Sequence, residues 1–205
     1  DIKDLPWIED FYSYPIFLSR NNSNTITSIA EDAQGNLWLG TWSEGLIKYN
    51  KSTGKFRRYL YNAEDSKSLS YNRVKHVYLD NSDDLWVSTF GGGLNYAHRK
   101  EINRFNEDLN FIRFKNSLTN DYSLSDDRIT SVCEDKFGNV WVATYGGGLN
   151  CLHAGERENI TEYAKFTHYR ARDENSINND IILTMIEDEE NLWIATFGGG
   201  LNRFN

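Results

Sequence analysis

Trp141–Asn150 reads WVATYGGGLN, and the stretch recurs as WVSTFGGGLN over Trp86–Asn95 and as WIATFGGGLN over Trp193–Asn202. Three glycines in a row admit two readings, a loop that cradles a phosphate or a turn between strands. A phosphate cradle sets its backbone N–H groups at the start of a helix. Here Gly148 is followed by Leu149-Asn-Cys-Leu-His153 and Gly93 by Leu94-Asn-Tyr-Ala-His98, short segments with no helical apolar stripe. No Lys-Ser or Lys-Thr follows any triplet to hold a terminal phosphate or its magnesium. The residues before the glycines are β-branched and aromatic, which suits strands. The sequence therefore predicts hairpins in which glycine supplies positive φ.

Working outward, Trp38, Trp86, Trp141 and Trp193 mark a repeat with spacings of 48, 55 and 52 residues. Each unit opens on a strand-like piece, Ile26 to Asp32, Val74 to Asp80, Ile129 to Asp135 and Ile182 to Asp188. A tight polar turn leads to the tryptophan strand, the glycine turn leads to a third strand, and a fourth reads Phe-x-x-aromatic: Phe56 with Tyr59, Phe111 with Phe114, Phe166 with Tyr169. Four strands in a period near fifty residues predict an all-β fold, a β-propeller of four-stranded antiparallel blades, about four blades' worth. A blade cannot bury its faces alone, so the tryptophans and fourth-strand aromatics are expected to pack between blades. The units are 26–73, 74–128, 129–181 and 182–205, all within one domain over 1–205. Phe11-Tyr-Ser-Tyr14 matches the fourth-strand pattern. It is expected either to complete the last unit or to belong to a preceding blade of a longer protein, and essentially no helix is expected.

A net charge of −8 and a pI near 5.0 exclude the basic face that nucleic acid or an anionic membrane demands. No apolar run reaches the length of a membrane span, and the first residues are not a secretory signal. Cys133 and Cys151 fall on the first and third strands of one unit. Two inter-strand spacings, roughly 9–10 Å, would then separate them, so two free buried thiols are expected.

The combination of Ile-Thr-Ser-Ile-x-Glu-Asp, Gly-Asn-Leu-Trp-Leu-Gly-Thr, Gly-Gly-Gly-Leu-Asn and Ser-Leu-Ser-x-Asn-x-Val (Ser68 to Val74) resembles the two-component regulator propeller repeat. The resemblance runs from about Phe11 to Asn205. It implies the periplasmic sensor part of a hybrid two-component system, in which propellers precede a further β-domain, a membrane helix and a histidine kinase, and in which oligosaccharides are the usual signals. The kinase and membrane helix do not occur within these 205 residues.

Catalysis needs convergent acid, base or metal groups. The four histidines do not converge: His98 and His153 stand at one place in successive units, and His76 and His168 fall on first and fourth strands. No metal site, cofactor or catalytic residue is expected. Asp80-Asn-Ser-Asp-Asp84 resembles the start of a calcium loop but has Leu85 in place of the glycine and no distal Glu, so it reads as a solvated turn. Binding is the better reading. Glycine turns and inter-blade connections share one rim of a propeller, which would display Trp42, Phe90, Tyr145 and Phe197 beside Tyr71, Arg73 and Arg128. The first unit breaks the triplet with Ser43 and Glu44, and such a departure marks a candidate site. The expected ligand is an oligosaccharide. The alternatives are a scaffold that docks proteins or self-associates through its blade faces, with the chain either half of a dimeric ring or a closed four-bladed ring, and a glycan-active propeller enzyme.

Overall fold

The computed structural model describes residues 25–103, 108–158, 160–188 and 190–205. Four antiparallel sheets follow one another in sequence. The first contains β1 (Ile26–Glu31), β2 (Asn36–Thr41), β3 (Leu46–Asn50) and β4 (Phe56–Tyr59), in that spatial order. The second contains β5 (Val74–Leu79), β6 (Leu85–Thr89), β7 (Leu94–Ala97) and β8 (Ile112–Phe114). The third contains β9 (Ile129–Glu134), β10 (Val140–Thr144), β11 (Leu149–Leu152) and β12 (Phe166–Tyr169). The fourth has three strands, β13 (Ile182–Glu187), β14 (Leu192–Thr196) and β15 (Gly200–Phe204). These are the blades of a β-propeller. The fourth-strand candidate at 11–14 lies outside the described residues.

The first strands β1, β5, β9 and β13 contact one another in succession and form the inner rank. Each blade carries an irregularity at the same place, between Ile26 and Ser28, Val74 and His76, Ala143 and Thr144, and Ile182 and Thr184. A bulge re-aims the extra side chain. Thr27 and Thr130 use it to donate Oγ1–H to the carbonyls of Val74 and Ile182 in the next blade, at 2.7 and 2.8 Å. One residue on, His76 Nδ1 accepts from Val132 N–H at 3.3 Å, stitching the second blade to the third.

The tryptophans do pack between blades. Trp38 shares a core with Val74, Val77 and Leu85 of the second blade, Trp86 with Ile129, Val132 and Val140 of the third, and Trp141 with Ile182, Met185 and Leu192 of the fourth. Their fourth-strand partners Tyr59, Phe114 and Tyr169 lie 5.9, 6.3 and 5.6 Å away between ring centroids. Each such ring removes enough apolar surface from water to favour stacking by roughly 4–6 kcal/mol before entropy is charged against it. Trp193, which no described blade covers, is only half-buried.

The all-β expectation holds with two short additions, and one expectation needs correction. Single helical turns, α1 (Arg99–Ile102) and α2 (Ala154–Arg157), link third to fourth strands in the second and third blades. These are the units with the longer tryptophan spacings, and the extra residues coil. α1 is anchored by Ile102, fully buried in the core between the first two blades, and His98 caps it by accepting from Lys100 N–H at 3.0 Å. The reading of Asp80 to Asp84 as a solvated turn is the one corrected: Asn81 and Ser82 face solvent, but the two aspartates at its ends do not. Asp80 and Asp84 are buried, and one Asp80 oxygen accepts the amides of Ser82 and Asp84 while the other accepts the Trp86 indole N–H at 2.8 Å. The same bond joins Asp32 to Trp38, Asp135 to Trp141 and Asp188 to Trp193, at 2.9, 2.8 and 2.6 Å. An indole cannot enter an apolar interface with its N–H unpaired without a desolvation cost, and the turn aspartate meets that need.

Candidate ligand-binding rim

Each glycine turn closes against the connection that leads out of its own blade into the next. Gly93 N–H donates to Asp127 C=O at 2.9 Å and Gly148 N–H to Asp180 C=O at 3.0 Å. Gly93 has φ of +82°, and a Cβ there would stand 2.1 Å from the Phe114 carbonyl oxygen. The middle glycine is needed for a different reason: a Cβ on Gly92 would lie 2.6 Å from Tyr71 Cβ, without any positive φ. The asparagine that ends the motif completes the joint. Asn95 accepts Ser70 N–H at 2.8 Å and donates to Ser70 Oγ at 2.9 Å, and Asn150 repeats both bonds with Ser125 at 2.9 Å each. Asn202 accepts Asn178 N–H at 3.1 Å. The motif thus fixes each connection to the third strand of its blade, a role the strand pattern alone did not reveal. Its signal was the near-constant offset between Ser70 and Asn95, Ser125 and Asn150, and Asn178 and Asn202.

Above these joints the residues after β2, β6, β10 and β14 stand on one rim. Phe90 N–H donates to Arg73 C=O at 2.9 Å, Tyr145 N–H to Arg128 C=O at 2.8 Å and Phe197 N–H to Ile181 C=O at 2.8 Å, so one backbone bond sets each aromatic beside the start of its own blade's first strand. Three side chains form a file. Trp42 and Phe90 have centroids 6.1 Å apart, and Phe90 and Tyr145 5.6 Å apart. The Arg73 guanidinium lies 4.7 Å from the Trp42 ring and that of Arg128 5.6 Å from the Tyr145 ring. Tyr71 stands 3.7 Å from where a Gly91 Cβ would be, and Ser43 is exposed beside Trp42. Phe197 is 59% exposed and makes no ring contact among the described residues. Glu44 turns inward: it is buried and pairs with Arg58 at 2.8 Å. The rim therefore joins aromatic faces, guanidinium donors and a hydroxyl, the combination that holds a polar ligand with apolar faces.

At the opposite rim the buried ionisable groups are engaged by the fold. Arg157 of α2 reaches across to Asp80 Oδ2 and Glu134 Oε1, both at 2.5 Å, and donates to Gly138 C=O at 2.8 Å. Asp84 accepts Tyr96 O–H and Arg99 N–H, each at 2.7 Å. Lys48, fully buried, sits 3.7 Å from Asp32 and donates to Ile102 C=O, and burial lowers its pKa. The histidines are likewise tied into separate joints, His153 to Thr167 Oγ1 at 3.0 Å and His168 to Ser123 C=O at 2.6 Å. Cys133 and Cys151 face one another across β10 as free, buried thiols, pushed up to about 12 by burial.

Comparison with known proteins fits this architecture. The pattern of the two component regulator propeller matches residues 21–43 and 123–146. Histidine kinase P4 of Formosa agariphila is 32% identical over 222 aligned residues, which span the whole of this chain and 15% of that protein. An extracellular domain assigned to a hybrid two component system of B. thetaiotaomicron superposes with a TM-score of 0.73 at 25% identity, over 90% of this chain and 24% of that one. Virginiamycin B lyase of Staphylococcus aureus, at 13% identity and a TM-score of 0.53 over 86% of this chain and 54% of its own, shares the fold alone. The chain thus spans a small part of the kinase and of the two component protein it matches, and it is a propeller of the kind found in extracellular parts of two-component systems.

Proposed function

From its membership of the two-component regulator propeller repeat family, we propose that this chain is the ligand-sensing, non-catalytic part of an extracytoplasmic signalling protein, and that it recognises oligosaccharides on the glycine-turn rim. The observation that carries the reading is the file Trp42, Phe90 and Tyr145, whose centroids are 6.1 and 5.6 Å apart. Successive rings at that spacing suit successive sugar residues, each stacking its C–H face while hydroxyls bond to Arg73, Arg128, Tyr71 and Ser43. Binding without turnover is favoured because the buried carboxylates opposite already hold indole, amide and guanidinium partners. Work in the periplasm, relayed to a histidine kinase, is part of this reading and is supported by the likeness to a histidine kinase and to an extracellular two component domain. A glycan array followed by calorimetry tests the reading. Saccharide binding without hydrolysis supports it, whereas turnover that disappears on a single carboxylate substitution refutes the non-catalytic role.

A second reading, self-association, rests on the two outer faces. Ile29 is 65% exposed although its counterparts Val77, Val132 and Met185 are buried, and Ile186 on the far blade is 67% exposed. Apolar surface of this kind is covered in a working protein. Light scattering over a range of concentrations is expected to show association of the isolated chain. A monomer of 23.8 kDa throughout excludes it.

A further inference from the structure

Two successive connections enter their blades with Ser70-Tyr-Asn-Arg73 and Ser125-Asp-Asp-Arg128. The arginines are equivalent: each precedes a first strand, and each offers its carbonyl to the rim aromatic, Phe90 or Tyr145. Their charges are handled differently. Asp126 grips Arg128 through two parallel bonds, Nε to Oδ1 at 2.9 Å and Nη2 to Oδ2 at 2.5 Å. The residue in the place of Asp126 before Arg73 is Tyr71, which has no carboxylate. Among the described residues no acidic side chain pairs with Arg73, whose guanidinium rests on the Trp42 ring at 4.7 Å. The paired arginine is the exposed one, while the unpaired one is half-buried. In a chain carrying 30 acidic against 22 basic residues, a half-enclosed cation without a counter-ion is a departure from the repeat and not a shortage of acids. A desolvated guanidinium is strongly favoured by an anionic partner, and it forms two parallel bonds to a carboxylate or sulfate.

We propose that the rim is selective for an acidic oligosaccharide, with Arg73 binding the ligand's carboxylate or sulfate while Trp42 and Tyr71 stack on or bond to the same sugar residue. The inference rests on the saccharide reading above and adds the charge of the ligand. Tyr71 serves twice: it removes the internal counter-ion that Asp126 supplies one blade away, and its part-exposed ring lies on the rim, 3.7 Å from where a Gly91 Cβ would be. Arg128, already neutralised, orients Tyr145 and contributes no charge selectivity.

The test is calorimetry on matched pairs, oligogalacturonate against its methyl ester and sulfated galactan oligosaccharide against the desulfated form, with inorganic sulfate as the ion alone. The charged member of one pair is expected to bind about tenfold more tightly than its neutral partner, the effect of one charge-assisted bond. That ratio is expected to collapse in Arg73→Gln, and also in Tyr71→Asp, which restores the counter-ion in the manner of Asp126. Circular dichroism verifies that both variants fold. Neutral and charged members binding alike, or a ratio unchanged in both variants, overturns the charge assignment and leaves saccharide binding standing. Inorganic sulfate binding as tightly as the sulfated saccharide also overturns it, and binding by no member of either pair overturns the saccharide reading with it.

Discussion

Replacing Asp80 by alanine is expected to destabilise the protein far more than the same change at Asp188, although both aspartates hold a tryptophan indole. Asp80 is buried, and its carboxylate accepts Trp86 Nε1 at 2.8 Å, Ser82 N at 2.9 Å, Asp84 N at 3.0 Å and Arg157 Nη2 at 2.5 Å. Truncation leaves a guanidinium that is itself largely buried without one of its two acids, and three N–H groups without their acceptor. Breaking a buried pair by removing one partner costs about 3–5 kcal/mol. For a chain of this size that corresponds to a fall in Tm of about 6–20 °C. Asp188 makes its indole bond at 2.6 Å in an exposed turn where water replaces the lost acceptor, so its variant is expected to melt with the wild type. Thermal melts followed by circular dichroism decide the matter. Equal drops for the two variants would show that the inter-blade ion cluster adds nothing to the indole bond, and the reasoning would fail.

Other consequences are independent of that cluster. Burial lowers the pKa of His76 to about 4, and its Nδ1 must stay unprotonated to accept Val132 N–H. The depressed value means that the unfolded chain takes up the proton first, so the stability is present above about pH 6.5 and is lost as pH falls towards 4, by up to roughly 3 kcal/mol. Urea midpoints at pH 7.5 and pH 5 are therefore expected to differ more for the wild type than for His76→Gln, and equal differences would contradict this. Gly92→Ala, whose Cβ would meet Tyr71 Cβ at 2.6 Å, is expected to cost about 1–3 kcal/mol, whereas Gly155→Ala in α2, with open space around it, is expected to be neutral or slightly stabilising. Cys133 and Cys151, with thiols pushed up to about 12, are expected to resist a thiol reagent at pH 8 until the chain unfolds, and fast labelling of the native protein would argue against their burial.

The repeat period, the hairpin glycines and the strand-rich flanks were legible in the sequence because each is a local preference repeated at a fixed interval. The pairing of Asp80 with Trp86 was not, since it spans a hairpin and a string of acids and polar residues reads by default as solvated. α1 and α2 escaped notice because one turn is too short for an apolar period, and only the buried Ile102 betrays the first of them. On the rim, the aromatics and arginines could be named from the motif and its connections, but which of them meet depends on blade packing. Glu44 shows the limit. It breaks the glycine rule in the sequence, yet the structure uses it inward against Arg58. The contrast of Tyr71 with Asp126 stands in the aligned connections, and its meaning emerges only once the Asp126 bonds to Arg128 are seen.

The central claim is that the file of rim aromatics is a saccharide-binding surface. Its most direct test is calorimetric titration of a saccharide that binds the wild type into Trp42→Ala and Tyr145→Ala, with Tyr163→Ala, an exposed ring of the third blade away from the file, as the control. The account predicts that both rim variants lose about tenfold or more in affinity, while the control binds as the wild type does. Undiminished affinity in both folded rim variants would contradict it.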